Sequence, residues 1–264
     1  MKLRVVVDGP RDPRLNMAID EALLLAGRTP TLRIYQWFPT GVSIGRRQRS
    51  SDINLAEARR RGYVVVRRPT GGAALIHPWK HEVTYSIVID ESHPIFQLDV
   101  AQSAAIIAQG VAYALEKLGL HSMIGGFRGF EVEGGLCYVR PGSSDVVVLG
   151  RKVSGSAQRR IRGRLLQHGT VLLRFDADEW FSIIPLGGVG PEDLRTKIAG
   201  IEQILGRSID FEEITKGLVE GFARVLGVPS GGVEYSSLEP QELSIALKLF
   251  EEKYMSYDWN LRGW

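Results

Sequence analysis

The stretch Val64-Val65-Val66-Arg67-Arg68-Pro69-Thr70-Gly71-Gly72-Ala73-Ala74-Leu75-Ile76-His77 carries the strongest local signal in this chain. Its valines predict a buried strand, which ends in two arginines. The proline fixes the backbone, and the paired glycines allow a ligand to approach the main chain closely. Such a loop presents N–H groups to a carbonyl or phosphate oxygen. The pattern matches neither a P-loop nor a dinucleotide fingerprint, and an ordinary hairpin is an alternative interpretation.

Hydrophobic periodicity on both sides of this loop predicts strands followed by helices, without a regular βαβ alternation. The predicted strands are 3–7, 31–37, 41–45, 63–67, 83–89, 146–149, 152–154 and 165–173. The predicted helices are 13–26, 53–61, 98–118, 178–184, 192–199, 211–226 and 240–254. This order predicts an α+β fold, with mixed β-sheets flanked by helices. We expect a catalytic core over residues 1–190 and a small helical C-terminal section over 191–264.

Composition indicates an ordinary globular protein, with 264 residues, 44% hydrophobic and 24% charged residues, and a net charge of +3. The sequence has no apolar run of about 18 residues, so we expect no membrane partner. One cysteine and no secretion signal predict a cytoplasmic protein. Arginine clusters at 59–61, 67–68 and 159–164 fit either nucleic-acid binding or a solvated surface. No zinc-finger or RNA-recognition motif accompanies them, so we expect no nucleic-acid partner.

The single cysteine, Cys137, lies in a glycine-broken stretch ahead of a short valine-rich strand, and Lys152 follows after a turn. A lone thiol is either a small core residue or a reactive nucleophile. A nearby lysine cation would lower the pKa of the thiol and favour the second possibility. His77, His81 and His168 have no metal-ligand spacing with this cysteine, so we predict no metal site. His77 also fits a histidine at a strand end.

Five segments, in order along the chain, resemble the biotin/lipoate protein ligase (BPL/LPL) catalytic-domain family. The five segments are Asn16–Ala22, Arg67–Gly72, Gly150–Gln158, Leu166–Thr170 and Glu252–Asn260. The Arg67–Gly72 loop and the order of cysteine, strand and lysine are most similar to the cysteine-type (LipM-like) octanoyltransferases of that family. The chain departs from the family pattern at Ala73 and at Pro78–His81.

The resemblance implies that octanoyl passes from an acyl carrier protein, through a thioester on Cys137, to the lysine of a lipoyl domain. Lys152 would lower the pKa of the thiol and polarise the acyl carbonyl. The substrate-binding residues would be Arg68, Thr70, Gly71, Gly72, His77, Ser154, Gly155 and Ala157. The implied acceptors are lipoyl domains of E2 subunits and the glycine cleavage H protein, and no cofactor is required. The alternative is a lipoate–protein ligase that uses ATP and magnesium, in which Cys137 would be structural.

Overall fold

The computed structural model of this protein describes residues 1–129, 136, 139 and 141–262. The strands in this part of the chain are β1 Leu3–Val7, β2 Thr31–Tyr35, β3 Gly41–Ile44, β4 Val64–Arg67, β5 Leu75–His77, β6 Glu82–Asp90, β7 Met123–Ile124, β8 Val146–Val148, β9 Arg151–Ile161, β10 Arg164–Leu172 and β11 Val233–Tyr235. Within it, one sheet has the order β11–β1–β2–β6–β10–β9–β8–β7, and a second has the order β4–β3–β5.

Both sheets mix parallel and antiparallel pairs. Strand β1 runs parallel to β2 and β11, whereas β6, β10 and β9 are antiparallel neighbours. The predicted strand at 152–154 is too short, because β9 continues to Ile161 through a ladder with β10. The added segment is rich in polar residues and glycine, so cross-strand pairing rather than hydrophobic alternation sets its length.

Helices pack on both faces of the larger sheet and against the smaller sheet. They are α1 Pro13–Ala26, α2 Leu55–Arg60, α3 Val100–Lys117, α4 Ala177–Ile183, α5 Pro191–Lys197, α6 Ile201–Leu205, α7 Phe211–Val225 and α8 Pro240–Leu249. Because side chains alternate along β6, Ile87 and Ile89 pack with α3 and α7, whereas Val88 packs with α1 and α8. The predicted α+β class is confirmed.

The segment after residue 190 contributes to the same sheet and core. Helix α7 packs along α3, and β11 pairs with β1 at the sheet edge. Two π-helical turns, Phe250–Tyr254 and Asp258–Arg262, follow α8. The division at residue 190 stays a prediction. Within the described part of the chain, no helix combines the length and apolar character that crossing a bilayer requires.

Candidate active site

The glycine loop between β4 and β5 is anchored by Arg67, whose side chain is fully buried. The guanidinium donates to the backbone carbonyls of Gly45 (2.9 Å), Gln48 (2.6 Å) and Trp259 (2.8 Å). The backbone N–H of Arg67 donates to Asn260 Oδ1 at 2.9 Å. The base of the loop is thus tied to a segment far away in sequence, and the surface interpretation of this arginine is wrong.

Arg68 holds the loop itself and is also buried. Its guanidinium donates to the carbonyls of Gly71 (2.7 Å) and Ala73 (2.8 Å) and to Ser43 Oγ (3.2 Å). Gly72 has a φ of 86°, which a side chain would disfavour. The loop predicted from sequence therefore exists as a rigid turn braced from inside by an arginine.

Lys152 lies on β9 with 1% of its surface exposed. Its amine is 2.7 Å from Asp145 Oδ1, and Asp145 Oδ2 accepts a hydrogen bond from the N–H of Gly142 at 2.8 Å. A Cβ on Gly155 would lie 2.9 Å from Lys152 Cε and 3.3 Å from its Nζ. Glycine at this position therefore makes room for the lysine side chain over the strand.

Sequence reasoning gave Asp145 no role. Burial raises the pKa of its carboxyl, and the ammonium of Lys152 opposes that change without cancelling it. The available signal was an acidic residue directly before a strand that pairs with the lysine-bearing strand through a tight turn. Asp145 holds the amine of Lys152 at a fixed point in a buried site.

Cys137 lies outside the described residues, so the structure gives no distance between its sulfur and Lys152. Leu136 and Val139, on either side of it in sequence, are buried. Leu136 forms a parallel backbone bridge with Ala74, at the end of the glycine loop. The chain next to the cysteine therefore passes along that loop.

A narrow cavity of about 30 Å³ lies between the two sheets. Its lining residues are Met17, Tyr35, Trp37, Ser43, Arg68, Leu75, His77, Thr84, Gly155, Ser156, Ala157, His168, Gly169 and Thr170. Four strands of the larger sheet and two of the smaller contribute to it. Gly155, which makes room for Lys152, lines this cavity together with His77 and Arg68.

Two buried histidines stand at this cavity, and each lies between a carboxyl group and a hydroxyl group. His168 Nδ1 is 2.9 Å from Asp20 Oδ2, and its Nε2 is 2.7 Å from Thr70 Oγ1. The family resemblance pointed to the segments that contain His168 and Asp20, and from the sequence neither residue had an assigned role. Two of the predicted features, Thr70 and His168, are thus joined by a hydrogen bond.

Asp20 is surrounded by donors. Arg33 donates to its Oδ1 at 3.0 Å and Tyr35 to its Oδ2 at 2.7 Å. Burial favours the neutral acid, but the hydrogen bond from His168 and the charge of Arg33 outweigh burial and lower the pKa of Asp20. Asp20 is therefore ionised near neutral pH and accepts from His168 Nδ1, and in the neutral imidazole Nε2 is then the acceptor that faces Thr70.

The second histidine, His77, stacks on Trp37 with a ring separation of 3.7 Å. Its Nε2 is 2.9 Å from Ser43 Oγ, and its Nδ1 is 3.3 Å from Glu82 Oε1. Thr84 also donates to Glu82 Oε1, at 2.8 Å. Among the described residues, Oε2 of this buried carboxyl has no hydrogen-bond partner.

Burial raises the pKa of Glu82 well above its ordinary value, and the hydrogen bond from Thr84 opposes this only weakly. Burial also lowers the pKa of His77 well below its ordinary value, and the charge of Arg68 acts in the same direction. Near neutral pH, this pair is therefore a neutral acid beside a neutral imidazole.

A basic cleft of about 800 Å³ lies on the other side of the glycine loop. Its lining residues are Arg46, Arg47, Gln48, Arg49, Asp52, Pro69, Thr70, Gly71, Gly72, Ala73, Gln158 and Arg159. Arg159 pairs with Glu21 at 3.0 Å. Four arginines and one carboxylate give this wall a positive charge, which suits an anionic partner.

The predicted substrate-binding residues divide between the two spaces. Arg68, His77, Gly155 and Ala157 line the narrow cavity, whereas Thr70, Gly71 and Gly72 line the basic cleft. Ser154 is buried on β9 and lines neither space. Within the described ranges, no group of three or more histidine, cysteine, aspartate and glutamate side chains could hold a metal ion.

Residues 12–223 match the family model of the lipoyl protein ligase A/B catalytic domain. The chain belongs to this family. It is 35% identical to an octanoyltransferase LipM of Brevibacillus brevis and to one of Kyrpidia tusciae, with 98% of each chain covered in both cases. Its fold is similar to that of a bi-partite lipoate protein ligase of Thermoplasma acidophilum, with a TM-score of 0.77, 24% identity, and coverage of 98% of this chain and 96% of that one.

Proposed function

We propose that this protein is an octanoyltransferase of lipoate biosynthesis. It takes octanoyl from octanoyl-acyl carrier protein as a thioester on Cys137 and passes it to the lysine of a lipoyl domain. Nearly full-length similarity to proteins named octanoyltransferase supports the reaction. The observation that carries the proposal is the apolar cavity whose wall includes Gly155, beside the buried amine of Lys152.

The site suits acyl transfer in three ways. Tyr35, Trp37 and Leu75 surround the cavity with apolar surface, which favours a hydrocarbon chain over water. The amine of Lys152, held by Asp145, is a fixed donor for the carbonyl oxygen of a thioester. A thiolate is both a good nucleophile and a good leaving group, so Cys137 can accept and release the acyl group.

The proposed reaction takes place in the cytoplasm between two kinds of partner protein. The donor is an acidic acyl carrier protein, and the acceptors are lipoyl domains of E2 subunits and the glycine cleavage H protein. The arginines beside the glycine loop suit acidic carriers through charge complementarity. The reaction requires no cofactor, because the energy of the thioester drives amide formation, and we place it in the cytoplasm.

The direct test is intact-mass measurement after incubation with octanoyl-acyl carrier protein. One octanoyl group should add to the native chain, and hydroxylamine should remove it. The Cys137→Ser variant should carry no hydroxylamine-labile group. Transfer to a lipoyl domain without any acylated enzyme would contradict the thioester route.

An ATP-dependent lipoate–protein ligase is the second candidate, and the basic cleft beside the glycine loop is the observation that favours it. In that reaction the arginines would face the phosphates of ATP, and Cys137 would be structural. Product formation from free octanoate with ATP and magnesium, by a Cys137→Ala variant, would establish the ligase. Product formation from octanoyl-acyl carrier protein without ATP would exclude it.

A further inference from the structure

The two half-reactions of the proposed function differ in their proton balance. In the first, a thiolate attacks a thioester and another thiolate leaves, so no proton is released. In the second, the nitrogen of an acceptor amine forms a bond to the acyl carbon, and the C–S bond to Cys137 breaks. The nitrogen must then lose a proton, because the product is a neutral amide. The second step alone therefore needs a base.

Among the described residues at the cavity, His168 is the side chain arranged to accept that proton. With its Nδ1–H donating to the ionised Asp20, the neutral imidazole accepts at Nε2, which lies 2.7 Å from the hydroxyl of Thr70. The Asp20 carboxylate would stabilise the imidazolium that forms when Nε2 gains a proton. His77 lacks this support, because the acid behind it is neutral.

The hydroxyl of Thr70 is in a position to pass the proton on. It lies in the glycine loop, lines the basic cleft, and reaches His168, which lines the cavity, through a hydrogen bond of 2.7 Å that is its only side-chain hydrogen bond within the described ranges. Ala74, four residues further along the loop, bridges to Leu136, the residue before Cys137. Gly155, beside the amine of Lys152, lines the same cavity. The loop thus bridges to Leu136, and the histidine that it contacts shares a cavity with the glycine beside Lys152.

We propose that Thr70 and His168, supported by Asp20, form a proton relay that serves the transfer of octanoyl from the enzyme thioester to the acceptor lysine. The amine gives its proton to Thr70 Oγ1 as the C–N bond forms. Thr70 gives its own hydroxyl proton to His168 Nε2, and Cys137 leaves as a thiolate. His168 later returns the proton to solvent. The relay rests on the proposed function, because it requires an acyl-enzyme.

The test measures the two half-reactions separately in three variants. Thr70→Val replaces the hydroxyl by a methyl group, and His168→Gln removes the imidazole. Thr70→Ser is the control that retains the hydroxyl. We expect all three to form the acyl-enzyme within about threefold of the native rate. Decay of the isolated acyl-enzyme with a lipoyl domain should fall about 100-fold in Thr70→Val and His168→Gln, and Thr70→Ser should restore it. Decay with hydroxylamine should be the same in every variant, because its weakly basic nitrogen loses its proton directly to water once the C–N bond forms.

The pH profile gives a second readout that a structural role would not change. The deficit of Thr70→Val should shrink as pH rises, because hydroxide in solution can then take the proton from the attacking nitrogen without the relay. The charged and titratable groups facing His168 are Asp20 from α1, Arg33 and Tyr35 from β2, Arg68 from the loop and His77 from β5. Asp20, Arg33, Tyr35 and the neutral His77 hold their charge states over pH 6–9, so they do not contribute to the change in this deficit.

Two results would overturn the relay. Loss of acylation and of both decay reactions together in Thr70→Val would make the hydroxyl a structural part of the loop. Native decay with the lipoyl domain in His168→Gln would show that the base is elsewhere. Failure of the native chain to form any acyl-enzyme would instead remove the proposed function, and the relay with it.

Discussion

The two histidine sites at the cavity are built from the same three kinds of group and differ in charge. His168 lies between Asp20 and Thr70, and His77 lies between Glu82 and Ser43. The pKa of the carboxyl is lowered in the first site and raised in the second, and burial is extensive in both.

The difference comes from the groups around each carboxyl rather than from the histidines. Asp20 accepts from Arg33, Tyr35, Ser86 and His168, which together outweigh the cost of burial. Glu82 accepts from Thr84 and faces His77, and Oε2 lacks a partner among the described residues. A buried carboxyl is therefore charged where a cation and several donors surround it, and neutral where they do not.

The largest expected effect follows from removing the charge in the first site. Asp20→Asn leaves the guanidinium of Arg33 buried with a weakened partner set, so we expect a loss of about 4 kcal/mol in the free energy of unfolding. Glu82→Gln replaces one neutral group by another, and at pH 7 it should not destabilise the protein, because only the wild type must keep a buried acid protonated there. Urea denaturation at pH 7 measures both, and equal losses would contradict the difference in charge.

The buried pair of Asp145 and Lys152 is an intermediate case, with one cation and one backbone donor for the carboxylate. Asp145→Asn removes the counter-charge of a buried ammonium, so we expect a loss of about 3 kcal/mol. A double-mutant cycle with Lys152→Met measures the coupling between the two side chains. If Asp145→Asn costs the same with methionine at position 152, the two residues do not interact.

Opposite pH dependences provide a sharper comparison of the two sites. The lowered pKa of Asp20 contributes stability that is present above the unfolded pKa, near 3.9, and is lost as pH falls through the folded value. The raised pKa of Glu82 means that the wild type loses stability as pH rises above about 4.3, relative to Glu82→Gln.

The Glu82→Gln variant should therefore gain on the wild type by up to about 1.4 kcal/mol per pH unit above that point. The penalty of Asp20→Asn should shrink below pH 4. Unfolding free energies of the three proteins between pH 3 and pH 8 measure both slopes. Parallel curves for the two variants would show that both carboxyls have the same charge in the fold.

The smallest effect is expected at the hydroxyl of the neutral site. Ser43→Ala removes a hydrogen bond to His77 and one from Arg68. We expect a loss of about 1 kcal/mol, because no charge is left uncompensated on His77 and Arg68 retains its backbone acceptors. Thermal unfolding of Ser43→Ala beside Ser43→Thr, which keeps the hydroxyl, gives the value. A loss as large as that of Asp20→Asn would indicate a charged His77.

Local signals in the sequence predicted the strands, the glycine loop and the position of Lys152. They arise from residues that are neighbours in the chain, such as the valines and glycines of residues 64–72. The family resemblance also pointed to the segment that contains Asp20, without giving that residue a role. The predicted length of β9 was wrong, because pairing with another strand sets where β9 ends.

The charge states at the site depend on distant pairs and could not be predicted in the same way. His168 and Asp20 are 148 residues apart, and Arg4 and Glu242, another buried pair, are 238 apart. No local spacing connects such residues, because the fold alone brings them together. The unpaired Oε2 of Glu82 likewise depends on the tertiary structure, because no hydrogen-bond donor among the described residues packs beside it.

The hydrogen bonds between Arg67 and the turn at Trp259 can form only late in synthesis of the chain. The two residues are 192 positions apart, so at about 5–20 residues per second a ribosome adds the second some 10–40 seconds after the first. During that interval the guanidinium lacks acceptors that it has in the finished fold. The base of the acyl site therefore closes only when residues near 260 have been made, and a nascent chain released earlier would carry an unbraced loop.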